Sequence, residues 1–188
     1  MARLVYTVLA SLDGYVADKA GNFDWAAPCD EVHSFVNELE RSVGTYLYGR
    51  RLFEVMAVWQ DIKGSEHDRD VVHEYAAIWR AAKKVVYSTT LPEVTTANTR
   101  LDRVFDPHRV RSMVATLERD VSVGGPTLAA QALHAGIVDD IHVFTIPIVV
   151  GGGTSCWPAG VRLALELCAQ DRFADGTVHH HYRTRLGG

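Results

Sequence analysis

Apolar positions along the chain switch repeatedly between the alternating or continuous rhythm of strands and the wider spacing of helices. Residues 3–11, RLVYTVLAS, form an apolar, β-rich run that predicts a first strand. Residues 30–43 place Val32, Phe35, Val36, Leu39 and Val43 at helical spacing, with Asp30 as N-cap. A short strand at 45–49, TYLYG, ends in glycine, and 50–59 reads as a helix. A further helix is predicted at 68–82, followed by the strand KVVYS at 84–88. The helix at 107–118 opens on proline, which suits a first helical position. A strand at 121–123 then runs through Gly124, Gly125 and Pro126 into a helix from Thr127. Residues 140–150 form a long β-run in which Pro147 marks a bulge or an edge. Residues 162–186 read as two strands around ADG, a hairpin signal.

Strands alternating with helices and closing on a hairpin imply an α/β/α sandwich. The early crossovers are expected to be parallel and right-handed, and the final hairpin makes the sheet mixed and mostly parallel. With 188 residues, no internal repeat and no low-complexity linker, one domain over 1–188 is expected.

Charge narrows the partners. A net charge of −4 gives no basic face, so nucleic acid is not expected. No run reaches the length of a membrane span, and the first residues read as a strand and not a signal peptide. Three cysteines, Cys29, Cys156 and Cys168, without metal spacing suit the reducing cytoplasm. The apolar run at 140–150 and the terminal hairpin could support a homodimer.

In open α/β sheets ligands collect at the carboxyl ends of strands. Three such ends carry suitable chemistry: YGRR with Gly49, Arg50 and Arg51, YSTT with Ser88 and Thr89, and VGGPTL with Gly124, Gly125, Pro126, Thr127 and Leu128. Each alone reads as well as solvated charge or a turn. As a set they suit a dinucleotide: glycines admit a pyrophosphate, a helix N-terminus favours its charge, and arginines with hydroxyls suit a terminal phosphate. The corner is neither a Rossmann G-x-G-x-x-G nor a Walker lysine loop.

The order of these motifs resembles the dihydrofolate reductase-like superfamily. It looks closest to small stand-alone proteins related to the C-terminal reductase domain of the bifunctional riboflavin-biosynthesis deaminase-reductase. The resemblance runs from TVLASLDGYVAD (7–18) through FDWAAPCDE, YLYGRRLFE, KKVVYSTT and VSVGGPTLAAQAL to IPIVVGGGT (146–154). It implies an NADPH-binding reductase. Arg50, Arg51, Ser88 and Thr89 would then hold the adenosine 2′-phosphate, and Gly124 to Leu128 would line the pyrophosphate. Val16 and Ala17 would lie near the nicotinamide. Leu52 departs from the pattern, because dihydrofolate reductases commonly have threonine there.

On the substrate side, WAAPCDE (25–31) resembles the Trp-x-x-Pro-x-Asp segment of dihydrofolate reductases, which assigns Asp30 to substrate binding and proton supply and Thr145 as its hydroxyl partner. Two readings of Asp30 stand side by side: an N-cap alone, or a cap that also touches substrate. Trp25 stacks on a flat heterocycle or plugs the core. Asp13 is a turn residue, with a substrate or loop-ordering role as the alternative. Trp157 shapes the pocket or packs in the core. His179 and His181 share a strand face and read as ordinary surface, so no metal site is expected. Gly151, Gly152 and Gly153 read as a flexible connection beside the cofactor. The expected activity is NADPH-dependent hydride transfer to a small pterin- or pyrimidine-type substrate, akin to dihydrofolate reductase or 5-amino-6-(5-phosphoribosylamino)uracil reductase. The alternatives are a non-catalytic NADP(H)- or nucleotide-binding protein of the same fold, and a structural dimeric scaffold.

Overall fold

The computed structural model describes residues 1–63 and 70–185. In chain order the elements are β1 (Leu4–Ser11), β2 (Tyr15–Asp18), α1 (Asp30–Glu40), β3 (Val43–Gly49) and α2 (Arg50–Met56). These are followed by α3 (Asp70–Ala81), β4 (Lys83–Tyr87), β5 (Thr99–Asp102), α4 (Pro107–Ala115), β6 (Asp120–Gly124) and α5 (Pro126–His134). The chain closes with β7 (Asp140–Ile146), β8 (Gly153–Ser155), β9 (Leu165–Arg172) and β10 (Val178–Thr184). Residues 68 and 69, expected at the start of α3, and Leu186 lie outside the described residues.

The eight-stranded sheet runs β5-β4-β3-β6-β1-β7-β10-β9. Its strands are parallel from β5 to β7, and the β9–β10 hairpin adds the antiparallel pairing. The apolar run at 140–150 does not continue as one strand. Pro147 stops it at Ile146, because β7 is paired on both sides and proline has no N–H for a central ladder.

Strand alternation splits the core into two faces. Leu4, Tyr6, Val8 and Ala10 of β1 join Val110 and Val114 of α4 and Leu128, Ala132 and Leu133 of α5. On the other face, Tyr46 and Tyr48 of β3 meet Phe53 of α2 and Tyr75 and Trp79 of α3. Farther along that face, Phe144 and Phe173 meet Val32 and Phe35 of α1. The result is a three-layer sandwich with helices on both faces of the sheet.

The start of α1 differs from expectation. Cys29 takes the N-cap position and makes no side-chain cap bond, while Asp30 is the first helical residue. With Glu31 it puts two acidic residues in the first turn, where the helix dipole favours them. By contrast α4 has a side-chain cap: Asp106 accepts from the N–H groups of His108 and Arg109, with Pro107 at the first position.

Candidate functional site

The sheet order makes β4, β3 and β6 neighbours. Register sets Gly49 opposite Tyr87 and Tyr48 opposite Gly124, so the three strand ends finish side by side at one edge. Arg50 and Arg51 are exposed there. The Arg50 guanidinium donates to Thr90 Oγ1 at 3.0 Å and pairs with Glu54 at 3.0 Å. Ser88 has a different use. Its nearly buried hydroxyl accepts the N–H groups of Thr90 and Leu91, at 3.2 and 3.0 Å, and shapes the turn. Thr89 is exposed. Thr90, not singled out from sequence, is the hydroxyl that reaches Arg50. The signal was present as the third hydroxyl of YSTT.

At the glycine corner, Gly125 has φ of +86°, a conformation L side chains rarely adopt, and forms the N-cap of α5. The helix starts at Pro126, one residue earlier than expected. Gly124 is required by packing: a Cβ there would lie 2.6 Å from Leu52 Cδ2. Thr127 is exposed at the first turn. Leu128 is turned away from the corner. Its side chain is buried in the core and its N–H donates to the Gly125 carbonyl at 3.1 Å.

Val16 and Ala17 lie on β2, which pairs with β8 in a small ribbon at the carboxyl end of β1. The three glycines 151–153 have φ of 73°, 130° and 139°. At Gly153 the geometry is absolute, since a Cβ would stand 2.0 Å from the Ala17 carbonyl oxygen. Asp13 anchors this loop. Its carboxylate accepts the Ser11 hydroxyl at 2.7 Å and the N–H groups of Val150 and Gly151 at 3.2 and 2.8 Å. The Ser11 hydroxyl, followed by these backbone donors, holds the Asp13 carboxyl below its usual range. Trp157 packs edge-on against Tyr6 in the core.

A cleft of about 130 Å³ opens beside Trp25. Leu9, Pro28, Val32, Ile146, Asp175 and Thr177 contribute to its wall, and the Trp25 indole N–H donates to the Asn22 carbonyl. Asp30 is exposed at the head of α1 and is not part of this wall. Thr145 is not brought to it. Phe144 and Ile146 face α1 and the cleft, so alternation puts Thr145 on the opposite face, in register with Ala10. The acid that lines the cleft is Asp175, in the β9–β10 turn. The Thr177 N–H, aided by the Cys29 thiol, holds its carboxyl below the usual range. That turn is tied to α1 by the Ala174 N–H, which donates to Glu31 at 2.9 Å. An Asp-Gly pair in a hairpin signals a turn, so nothing in the local sequence marks Asp175 as a wall of a cleft.

The histidines are not ordinary surface. His179 is 2% exposed, and His142, from β7, stacks on both His179 and His181. Among the described residues no group of three or more His, Cys, Asp and Glu could hold a metal ion. No helix among them is long and apolar enough to cross a membrane.

The sheet order, its helical layers and the antiparallel hairpin define a dihydrofolate reductase-like α/β protein. Residues 2–179 match the family model of the RibD C-terminal domain, and the chain belongs to that family. It is 25% identical over 185 residues to the uncharacterised protein YyaP of Bacillus subtilis (strain 168), covering 96% of this chain and 94% of that one. A Shewanella sp. PV-4 structure assigned provisionally to riboflavin biosynthesis superposes with TM-score 0.75 at 19% identity, over 97% of this chain and 99% of that one. A pyrimidine reductase-like protein of Corynebacterium diphtheriae gives 0.70 at 13% identity, over 99% and 93%. The Thermotoga maritima deaminase/5-amino-6-(5-phosphoribosylamino)uracil reductase gives 0.66 at 14% identity; the match covers 98% of this chain and 57% of that larger one.

Proposed function

We propose that this protein is an NADPH-dependent reductase acting on a small pyrimidine-type substrate. The observation that carries the reading is the adjacency of the three strand ends of β4, β3 and β6 at one edge. The residues there fit a dinucleotide phosphate. Arg50 and Arg51 are exposed cations, Thr89 and Thr90 are exposed hydroxyls, and α5 begins with N–H groups that have no upstream carbonyl in the helix. NADPH, when bound, supplies the hydride.

This chain's own residues position and protonate. Arg50, braced by Thr90, selects the 2′-phosphate. Gly125 and Thr127 offer backbone N–H groups to the pyrophosphate, while Pro126 sets the shape of the corner. Asp13 fixes the glycine loop, which holds β8 against β2 and its residues Val16 and Ala17 beside the nicotinamide position. Trp25 gives the substrate ring a flat wall and Asp175 offers a carboxylate to its amino or imino groups; Asp30, exposed at the head of α1 outside this wall, is assigned the proton that accompanies hydride delivery on the Trp-x-x-Pro-x-Asp resemblance and not on its place in the cleft. The Asp30 role is independent of Thr145, which faces away.

The test is fluorescence titration with NADPH and NADH, then NADPH oxidation with 5-amino-6-(5-phosphoribosylamino)uracil. Arg50→Ala should weaken NADPH far more than NADH. Failure of both cofactors to bind at millimolar concentration would sink the reading. A second reading, a non-catalytic binder of NADP(H), is favoured by the cleft volume. At about 130 Å³ it is small beside the ~300–1,000 Å³ usual for ligand pockets. Steady substrate-dependent NADPH oxidation would remove that alternative. A homodimer is also proposed, and sedimentation would test it.

A further inference from the structure

Arg103 follows β5 directly, and β5 runs parallel to β4 with Asp102 in register with Tyr87. The residue therefore stands at the same carboxyl edge as the phosphate-compatible strand ends. Its guanidinium gathers three backbone carbonyls of one turn. Nη1 donates to the carbonyls of Ser88 and Leu91 at 2.9 and 2.6 Å, and Nη2 donates to that of Pro92 at 3.3 Å. The turn at 88–92 is thus closed from two sides. The Ser88 hydroxyl accepts its N–H groups, at Thr90 and Leu91, while Arg103 donates to its carbonyls. A planar guanidinium suits this task, because its donors fan out toward separate acceptors, whereas an ammonium is a single point.

The root of the Arg103 side chain is fixed as well. The Asp102 carboxylate accepts the Arg103 N–H at 2.8 Å and pairs with Arg100 at 3.3 Å. The Asp102 carbonyl accepts the Ser88 N–H at 3.0 Å. The end of β5 and the turn after β4 form one hydrogen-bonded unit. That unit leaves Thr89 and Thr90 exposed, and Thr90 Oγ1 accepts from Arg50 at 3.0 Å.

We propose that Arg103 is a positioning residue for the 2′-phosphate of NADPH: it holds Thr90 where Arg50 meets it, and so sets the preference for NADPH over NADH. The inference rests on the NADPH reading above. Arg103 acts through the turn, since both of its Nη atoms already donate to carbonyls. A turn held in advance loses less freedom when the phosphate arrives, and that saving appears as affinity. NADH has no 2′-phosphate and gains nothing from the held turn. An arginine that merely stabilised the fold would affect both cofactors alike.

The experiment is calorimetric titration of the full chain, of Arg103→Met, of Thr90→Val and of the double variant with NADPH, NADH and 2′,5′-ADP. Arg103→Met keeps the length of the side chain and removes its donors. It should weaken NADPH and 2′,5′-ADP by ~tenfold and move NADH by less than about twofold. In the Thr90→Val background the same change should cost far less, because the hydroxyl it positions is gone. In the unsubstituted protein the amide resonances of Thr90 and Leu91 should shift more with 2′,5′-ADP than with 5′-ADP, a readout that needs no variant. Unchanged NADPH affinity, equal losses for NADPH and NADH, additive effects of the two substitutions, or equal shifts with the two nucleotides would each overturn the role of Arg103 and leave the NADPH reading standing. Failure of the unsubstituted protein to bind either cofactor would overturn that reading, and this inference with it.

Discussion

Leu52 covers Gly124 so closely that a Cβ on the glycine would stand 2.6 Å from Leu52 Cδ2 and 3.2 Å from the Tyr48 ring. The side chain that departs from the threonine of dihydrofolate reductases therefore has a use: it packs the helix α2 onto the end of β6. Gly124→Ala should destabilise the protein by ~1–3 kcal/mol through overpacking. Leu52→Ala introduced with it should recover part of that loss, since it removes the atom that is struck. Urea unfolding of the two single variants and the double variant measures the coupling. Additive effects would show that the contact is not the cause.

Much of this architecture was readable because the runs that form β1, β3, β4, β6 and β7 are apolar enough to declare themselves. The short strands were not. β5 is TRLD, with no buried residue, and its place follows from the turn at Asn98, with φ of 56°, and the Thr96–Thr99 hydroxyl pair before it. β2 and β8 exist only by pairing with each other across more than a hundred residues of chain. The glycine corner was legible because its backbone geometry admits few residue types. Thr90 and Asp175 were not legible as site residues, because their roles depend on partners brought near by the fold: Arg50 lies 40 positions from Thr90. The histidine stack was hidden for the same reason, since His142 and His179 lie 37 positions apart.

Asp13 holds the glycine loop through the N–H groups of Val150 and Gly151. Asp13→Ala should release them, and hydrogen exchange at those two amides should accelerate while β7 stays protected. The pH dependence has a defined sign. The folded carboxyl lies below its ordinary value, so the contact contributes above the unfolded value of 3.8 and is lost as pH falls through the folded one. Acid should therefore loosen the loop in the natural protein and change little in the variant. Unchanged exchange at Val150 and Gly151 in Asp13→Ala would show that the glycine geometry alone holds the loop.

Glu40 has the opposite sign. Burial pushes its carboxyl up from 4.5 to about 7, and the nearby Tyr46 hydroxyl offsets only part of that. The folded protein keeps a proton that the unfolded chain releases, so stability falls as pH rises from about 4.5 to about 7 and then levels off. Glu40→Gln should remove this slope. At pH above 7 the variant should be more stable by up to roughly 3 kcal/mol, an upper limit in which each tenfold change in proton affinity is worth ~1.4 kcal/mol. Urea midpoints measured across this range decide it. A variant that is less stable at high pH would mean that the carboxylate has a partner in solution that glutamine cannot replace.

The two acids near the cleft should separate in kinetics. Asp30, at the head of α1, is proposed to supply a proton, so Asp30→Asn should lower kcat by ~10²-fold with little change in KM. Asp175 lines the cleft and already accepts from the Thr177 N–H at 2.8 Å. A residue that only binds substrate acts on ground and transition state alike, so Asp175→Asn should raise KM several-fold and leave kcat near its starting value. NADPH oxidation at saturating cofactor, with 5-amino-6-(5-phosphoribosylamino)uracil varied, resolves the two. If Asp175→Asn lowers kcat while Asp30→Asn does not, the proton comes from the hairpin turn and not from the helix. That outcome would fit the geometry in which Asp175 lines the cleft and Asp30 stands exposed outside its wall. It would also move the proton source away from the residue that the Trp-x-x-Pro-x-Asp resemblance singles out.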